Sequence, residues 1–208
     1  MIARDDSSER IVAELVTQLG RIAYGEGLVG GLTPVQWTVL RYFARANRFS
    51  RTVSAFAEFH GTTRGTASQT VKHLVNKGYL VRRRSERDGR SARLDLTGKG
   101  TATLADDPFE ALVRAARSLS PTTRLSLTSK LERMLGHVVQ ERGRCHFGMC
   151  PGCAHLRGDG SSTKGKPPYE CGLVGEPLEE VEIGQLCVNF EPAQSSRVKR
   201  AGGATPRP

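Results

Sequence analysis

The sequence predicts a mainly α-helical fold with one small β-hairpin, an α+β chain that ends in a small metal-stabilised module. Three observations predict it. Apolar residues recur at helical spacing over most of residues 9–141, the period changes to strand-like alternation only around residues 79–96, and all five cysteines fall after residue 144.

Residues 9–22 place Ile11, Val12, Leu15, Val16, Leu19 and Ile22 on one side of a first amphipathic helix. The glycine-rich stretch 25–31 breaks it. Thr33-Pro34 opens a second helix, because a threonine oxygen can accept from a free N–H and proline at the first helical position loses no hydrogen bond. Trp37, Leu40 and Phe43 share one face of that helix and read as core. Thr52 can cap a short helix bearing Val53, Phe56 and Phe59, which ends at His60-Gly61. Thr62 or Thr63 starts another, which runs to Lys77 and stops at Gly78, the residue type a left-handed cap favours. Its apolar stripe is Ala67, Val71, Leu74 and Val75, with Arg64, Ser68, Gln69, Lys72 and Asn76 on or beside the opposite side. Helix, short glycine-containing turn and helix form a helix-turn-helix pattern.

After Gly78 the period falls to two. Tyr79-Leu80-Val81 runs into Arg82-Arg83-Arg84, Ala92 to Leu96 returns, and Asp88-Gly89 between them is a hairpin turn signal. Residues 97–100 end the hairpin. Further helices are expected at 108–119 and 121–141, the second capped by Ser120 and carrying Leu125, Leu131, Leu135 and Val138. Three parts follow: residues 1–141 as the helix-turn-helix part with its flanking helices, 142–191 as the cysteine module, and 192–208 as a disordered basic tail.

Lysine and arginine number 31 against 21 acidic residues, a formal net charge of +10 that points to a polyanionic partner. Nine basic and three acidic residues lie within 62–95, so more than half of the excess sits on the second helix of the pair and the hairpin. A helix in a major groove can offer Arg, Gln, Ser and Thr to base edges while lysines and arginines neutralise phosphates. An arginine at the hairpin tip, Arg90, can reach the adjacent minor groove. Tyr79 is the lone aromatic of this region, which disfavours stacking on single strands. No apolar run approaches the roughly 20 residues a bilayer needs, and MIARDDSSER lacks a signal-peptide layout, so a soluble cytoplasmic protein with no membrane partner is expected. An enzyme is not expected: no nucleotide-binding glycine loop, no nucleophile beside a base and no suitably paired carboxylates are evident.

The stretches LTPVQWTVLRYF and TVSAFAEFHGTTRGTASQTVKHLVNKGYLVRRRSERDGRSARLDLTGKG resemble the multiple-antibiotic-resistance regulator (MarR) family, most specifically in KGYLVRR, the Asp88-x-Arg90 tip and LDLTGKG. The resemblance covers residues 9–141. It implies a winged helix-turn-helix homodimer whose terminal helices interlock and whose recognition helices enter successive major grooves of a palindromic operator. It implies that Thr63, Arg64, Thr66, Ser68, Gln69 and Lys72 face DNA, with Arg84 on the wing, Arg90 as the wing arginine and Asp88 orienting it. Repression is the commoner behaviour in that family. Many members bind a small aromatic effector, but no residue set here predicts one. Gly65, early in the recognition helix, departs from the pattern, as does the whole cysteine extension.

That extension holds Cys145, Cys150, Cys153, Cys171 and Cys187, a clustering that in a reducing compartment favours metal or redox chemistry over structural disulfides. An iron–sulfur cluster, two-iron or four-iron, is the first reading. Cys145-x4-Cys150-x2-Cys153 with a distant cysteine has plant-type ferredoxin spacing, and CHFGMCPGCA locally resembles that loop. A second set, Cys150-x2-Cys153 with Cys171 and Cys187, is spaced more like a high-potential iron–sulfur protein. Four of the five would be ligands in either case. Structural zinc, with His146 or His155 as a possible ligand, is the alternative, and a bare thiol switch the third reading. The expected function is a regulator whose cysteine cluster senses redox, nitric oxide or iron status, relayed through the adjacent dimer helix. A structural zinc site with a small-molecule effector, or an electron-transfer protein, are the alternatives.

Overall fold

Side-chain caps fix where the helices begin. The computed structural model describes residues 7–24, 28–84, 92–158, 160–161 and 167–193. Its first four helices are α1 (Ser8–Tyr24), α2 (Pro34–Arg45), α3 (Val53–His60) and α4 (Arg64–Asn76). At α2 the Thr33 hydroxyl accepts from the Gln36 N–H while the Gln36 side chain accepts from the Thr33 N–H, a reciprocal capping box. Thr52 and Thr63 cap α3 and α4 by accepting from the N–H groups of Ala55 and Thr66. Gly78 follows α4 at φ 75°, a left-handed conformation that strains any side chain.

The hairpin is β1 (Leu80–Arg84) paired antiparallel with β2 (Ala92–Leu96), Leu80 opposite Leu96 and Arg84 opposite Ala92. Its tip, with Asp88 and Arg90, lies outside the described residues. The chain then forms α5 (Gly98–Thr103), where the sequence reading had only the end of the hairpin. Two glycines hide this helix from propensity, yet Thr97 caps it by accepting from Gly100 N–H. Gly100 itself packs so close to the Tyr79 carbonyl that a Cβ would collide with it. Next, α6 (Glu110–Arg117) is shorter than the expected 108–119. Asp107 delays its start, since the carboxylate accepts from Phe109 N–H and pairs with Arg41 at 2.7 Å. Helix α7 (Pro121–Glu141), capped by Ser120, has the expected bounds.

The core lies where α2, α3 and α4 meet the inner faces of the two strands. Leu40, Phe43, Phe56, Val71, Leu74 and Leu94 are buried there. Tyr42 packs edge-on against Phe43 and Phe56 and donates its hydroxyl to the Ser50 carbonyl at 2.7 Å. Burial of that hydroxyl raises its pKa well above the usual tyrosine value. Helices α1 and α7 behave differently. Leu15, Ile22, Leu125 and Leu135 are 53%, 70%, 74% and 62% exposed, and α7 buries none of its residues.

The remaining described residues fold back onto this core. They form a three-stranded antiparallel sheet in the order β3 (Leu156–Arg157), β4 (Tyr169–Cys171), β5 (Glu176–Leu178), followed by a one-turn helix α8 (Glu180–Ile183). Leu186 bridges Ala46 in parallel, donating to the Arg45 carbonyl and accepting from the Asn47 N–H. Arg48 pairs with Glu182 at 2.7 Å and Glu176 at 3.3 Å. Phe147 sets its ring edge against Phe59 of α3.

The core's dependence on one ring is testable. Phe56→Ala leaves a cavity among α2, α3 and α4 and is expected to cost about 3–5 kcal/mol of unfolding free energy, measured by urea denaturation.

Candidate nucleic-acid interface and cysteine cavity

Helix α4 splits cleanly between two faces. Ala67, Val71 and Leu74 are buried on the core side, while Thr63, Arg64, Thr66, Gln69 and Lys72 are exposed and Ser68 is half-buried. All six residues read as facing DNA are therefore at or near the surface of one helix. Two of them also have structural duties. Thr63 caps the helix, and its hydroxyl lies 2.9 Å from that of Thr66. Gly65 stands between them with space around it: a Cβ there would meet only the Thr63 hydroxyl, at 3.8 Å.

On the wing, Arg82, Arg83 and Arg84 are exposed. Asp95 gathers several of the basic groups. Its carboxylate lies 2.8 Å from Arg51, 3.1 Å from Arg93 and 3.3 Å from Arg83. Arg51 also donates from Nε to the Ala46 carbonyl, and its own carbonyl accepts from Leu94 N–H on β2. The turn between α2 and α3 thus holds the base of the wing. A strand-position aspartate flanked by arginines was a readable sign of such a node; Arg51, 44 residues away, carried no sign.

The cysteines fall into two groups. Cys150, Cys153, Cys171 and Cys187 line one small cavity, partly open to solvent, and Cys145 is not among its lining residues. Main-chain hydrogen bonds place the four. Cys153 N–H donates to the Cys150 carbonyl, Cys187 N–H to the Gly148 carbonyl, and the Cys171 carbonyl accepts from Gly175 N–H. Gly148 allows the Phe190 ring to close over the backbone there, where a Cβ would meet ring carbons at 2.7 Å. Burial, and then the neighbouring cysteine sulfurs, push the Cys150 thiol up to about 11. Burial also raises Cys187, against the Asn47 side chain and the Asn189 backbone, which favour its thiolate. His155 lines the cavity too, with its Nε2 3.0 Å from Glu191. Among the described residues no group of three or more His, Cys, Asp or Glu side chains stands ready to hold a single metal ion.

Asn47 was invisible to the sequence reading. It lines the cavity from the helix-turn-helix side, and its Oδ1 accepts from Ser50 N–H at 3.1 Å and Ser50 Oγ at 2.8 Å. Ser50 Oγ in turn accepts from Val188 N–H at 2.8 Å, one residue past Cys187. The cavity and the wing base therefore share one short segment, residues 46–51.

Residues 30–91 match the MarR family model. That match spans α2, α3, α4 and β1, the helix-turn-helix and the first strand of the wing. Among solved structures, a MarR transcriptional regulator from Methanosarcina mazei Go1 is similar at 24% identity and a TM-score of 0.50, over 63% of this chain and 98% of that one. The S. aureus MepR–DNA complex is similar at 17% identity and a TM-score of 0.53, over 65% of this chain and 99% of that one. These likenesses show the winged-helix fold. Each uses nearly the whole of the other chain, so about a third of this one has no counterpart in it. No curated protein matches the chain. Among the described residues no helix is long and apolar enough to cross a membrane.

Asp95→Ala removes the shared acceptor of Arg51, Arg83 and Arg93. The expected loss is about 1.5–3 kcal/mol of stability, the scale of a charge-assisted hydrogen bond inside a protein, read from chemical denaturation at constant salt.

Proposed function

We propose that this chain is a sequence-specific DNA-binding transcriptional regulator, most naturally a repressor, that acts as a homodimer on a palindromic operator. The observation that carries it is the placement of Arg64, Gln69 and Lys72 on the exposed face of α4, beside a wing bearing Arg82 and Arg84. A helix of this kind fits a major groove, where bidentate Gln and Arg contacts discriminate bases and Lys contacts phosphate. Asp88 and Arg90 would extend the contact from the wing tip. The solved MepR complex, whose fold this chain shares, contains DNA.

The exposed stripes of α1 and α7 support the dimer. A 21-residue helix that buries nothing is not stabilised by its own chain. Its exposed Leu127, Leu131, Met134 and Val138 recur at i+3 and i+4, as do Val12, Leu15 and Leu19 on α1. Two such stripes per chain are suited to close against those of a second copy.

The cysteine module supplies the signal in this reading. Gain or loss of a metal centre there, an iron–sulfur cluster first and zinc as the alternative, would change operator affinity in response to redox, nitric oxide or iron status. The docking of Leu186 and Arg48 across residues 45–48 supports this, since it joins the module to the DNA-binding core directly. The relay then runs through the turn before α3, in addition to the adjacent dimer helix.

Selection from a random duplex pool, followed by fluorescence anisotropy over a salt series, tests the DNA reading. A two-fold symmetric preferred site is expected. Gln69→Ala is expected to cost about 1–3 kcal/mol on that site and relax one base position, whereas Lys72→Ala weakens all sequences alike and lowers the salt slope by about one. Affinity that follows phosphate number alone overturns sequence-specific regulation. Sedimentation is expected to give a dimer, and Leu131→Asp with Leu135→Asp a monomer whose DNA affinity falls at least tenfold, or about 1.4 kcal/mol.

A further inference from the structure

The cysteine cavity carries two independent observations, and together they go further than the reading of the module as a metal-holding sensor, on which they rest. The first is the selection of ligands. Cys150 and Cys153 bracket a single 3₁₀ turn, Cys171 ends β4, and Cys187 bridges Gly148, so four separate backbone positions converge on one space while Cys145 stays outside it. The nearer spacing, which includes Cys145, is the one the fold does not use for this cavity.

The second is a buried polar atom that completes no hydrogen bond, although its side chain bears on the Cys187 thiol. Asn47 is 1% exposed and lines the same cavity, and among the described residues its Nδ2 is buried without a hydrogen-bond partner. The amide cannot be turned round to relieve this. Ser50 N–H can only donate, so Oδ1 must face it and Nδ2 must face away. A buried, unsatisfied N–H is costly because it has given up its water, and such an orphan marks a place for a stronger acceptor. A neutral thiol is a weak acceptor. A metal-bound thiolate carries negative charge and accepts well.

We propose that Cys150, Cys153, Cys171 and Cys187 are the ligands of one iron–sulfur cluster, and that Asn47 Nδ2 donates a hydrogen bond to the Cys187 thiolate of that centre. A single zinc ion, with Zn–S bonds of about 2.3 Å, would draw four sulfurs to within roughly 3.8 Å of one another. Four converging thiols can serve either centre, and the choice of a cluster over zinc rests on the reading of the module given above. Donors to cluster sulfur tune the potential and hold the ligands in place. Asn47 is therefore a positioning residue that belongs to the DNA-binding core and not to the module. Its partner Ser50 holds Val188, and Arg51 beside it holds β2, so loss of the acceptor at Cys187 is felt at the base of the wing.

The full chain purified without oxygen, with each variant, is analysed for iron, sulfide and zinc, and for its melt in the metal-free form. Wild type and Cys145→Ser are expected to hold iron and sulfide in equal amounts, while Cys150→Ser, Cys153→Ser, Cys171→Ser and Cys187→Ser each lose the cluster. Asn47→Leu, close in size, is expected to retain iron but shift the cluster to a lower reduction potential, because a donor that favours the more negative state is gone. Iron lost from Cys145→Ser but kept by one of the other four overturns the ligand set. Zinc without sulfide on the same cysteines overturns the cluster, metal-free wild type overturns the site, and an unchanged potential in Asn47→Leu overturns the donor. Operator affinity measured on the same samples separates this from the sensing reading. If holo and metal-free wild type bind DNA equally, sensing fails and the site stands. If metal content follows another ligand pattern while affinity still changes on metal loss, sensing stands and this site fails.

Discussion

The position of both outlying parts of the molecule depends on one short turn, residues 46–51. Tyr42 anchors it from beneath through the Ser50 carbonyl, and Asn47 ties its ends together through two hydrogen bonds from Ser50. On one side Arg51 reaches Asp95 and β2; on the other, Arg48 and the Asn47 backbone hold α8 and Leu186. Polar groups so buried have to be satisfied within the protein, since water cannot reach them. The turn is therefore rigid for reasons of hydrogen bonding, and whatever docks on it shares that rigidity.

Electrostatics on the wing are less simple than the charge count. Arg83 and Arg93 both lie near Asp95, whose side chain is largely shielded by its arginine partners. Their charges are partly spent inside the protein. Arg82 and Lys72 are exposed, and in the proposed reading their charges are the ones that meet phosphates. Counting basic residues in the sequence overstates the field a duplex would meet at the wing base, and understates the role of those arginines in holding the hairpin.

Much of this architecture was legible in the residues. Thr33-Pro34, Thr52, Thr63, Ser120 and Gly78 are local signals whose chemistry works within one helical turn, and each stands where such chemistry puts it. The buried and exposed faces of α4 followed from its period alone. Helix α5 was missed because Gly98 and Gly100 argue against a helix, and the contact that demands Gly100 comes from Tyr79, far away in sequence. The cysteine module was recognisable as a cluster of thiols. Its grouping was legible only as one of two alternatives, because spacing allows Cys145 with Cys150 and Cys153 as well as the set without Cys145, whereas the cavity is shaped by long-range pairing of Gly148 with Cys187 and Cys153 with Pro192. Asn47 had no signal at all: one polar residue after a helix is ordinary, and only its burial against another part of the chain gives it meaning.

The uncovered stripe of α7 has a consequence for the life of the protein in a cell. A single chain buries its helix-turn-helix core but presents Leu125, Leu131 and Leu135 to solvent along α7. If a second copy covers that segment, as proposed, the persistence of each molecule rises with the number of copies present. Newly made chains that find no companion are the ones a protease can grip, and α7 joins the core directly to the cysteine module. A cut there would separate the cysteine module from the helix-turn-helix core. Abundance would then be governed by pairing, with surplus single chains cleared first.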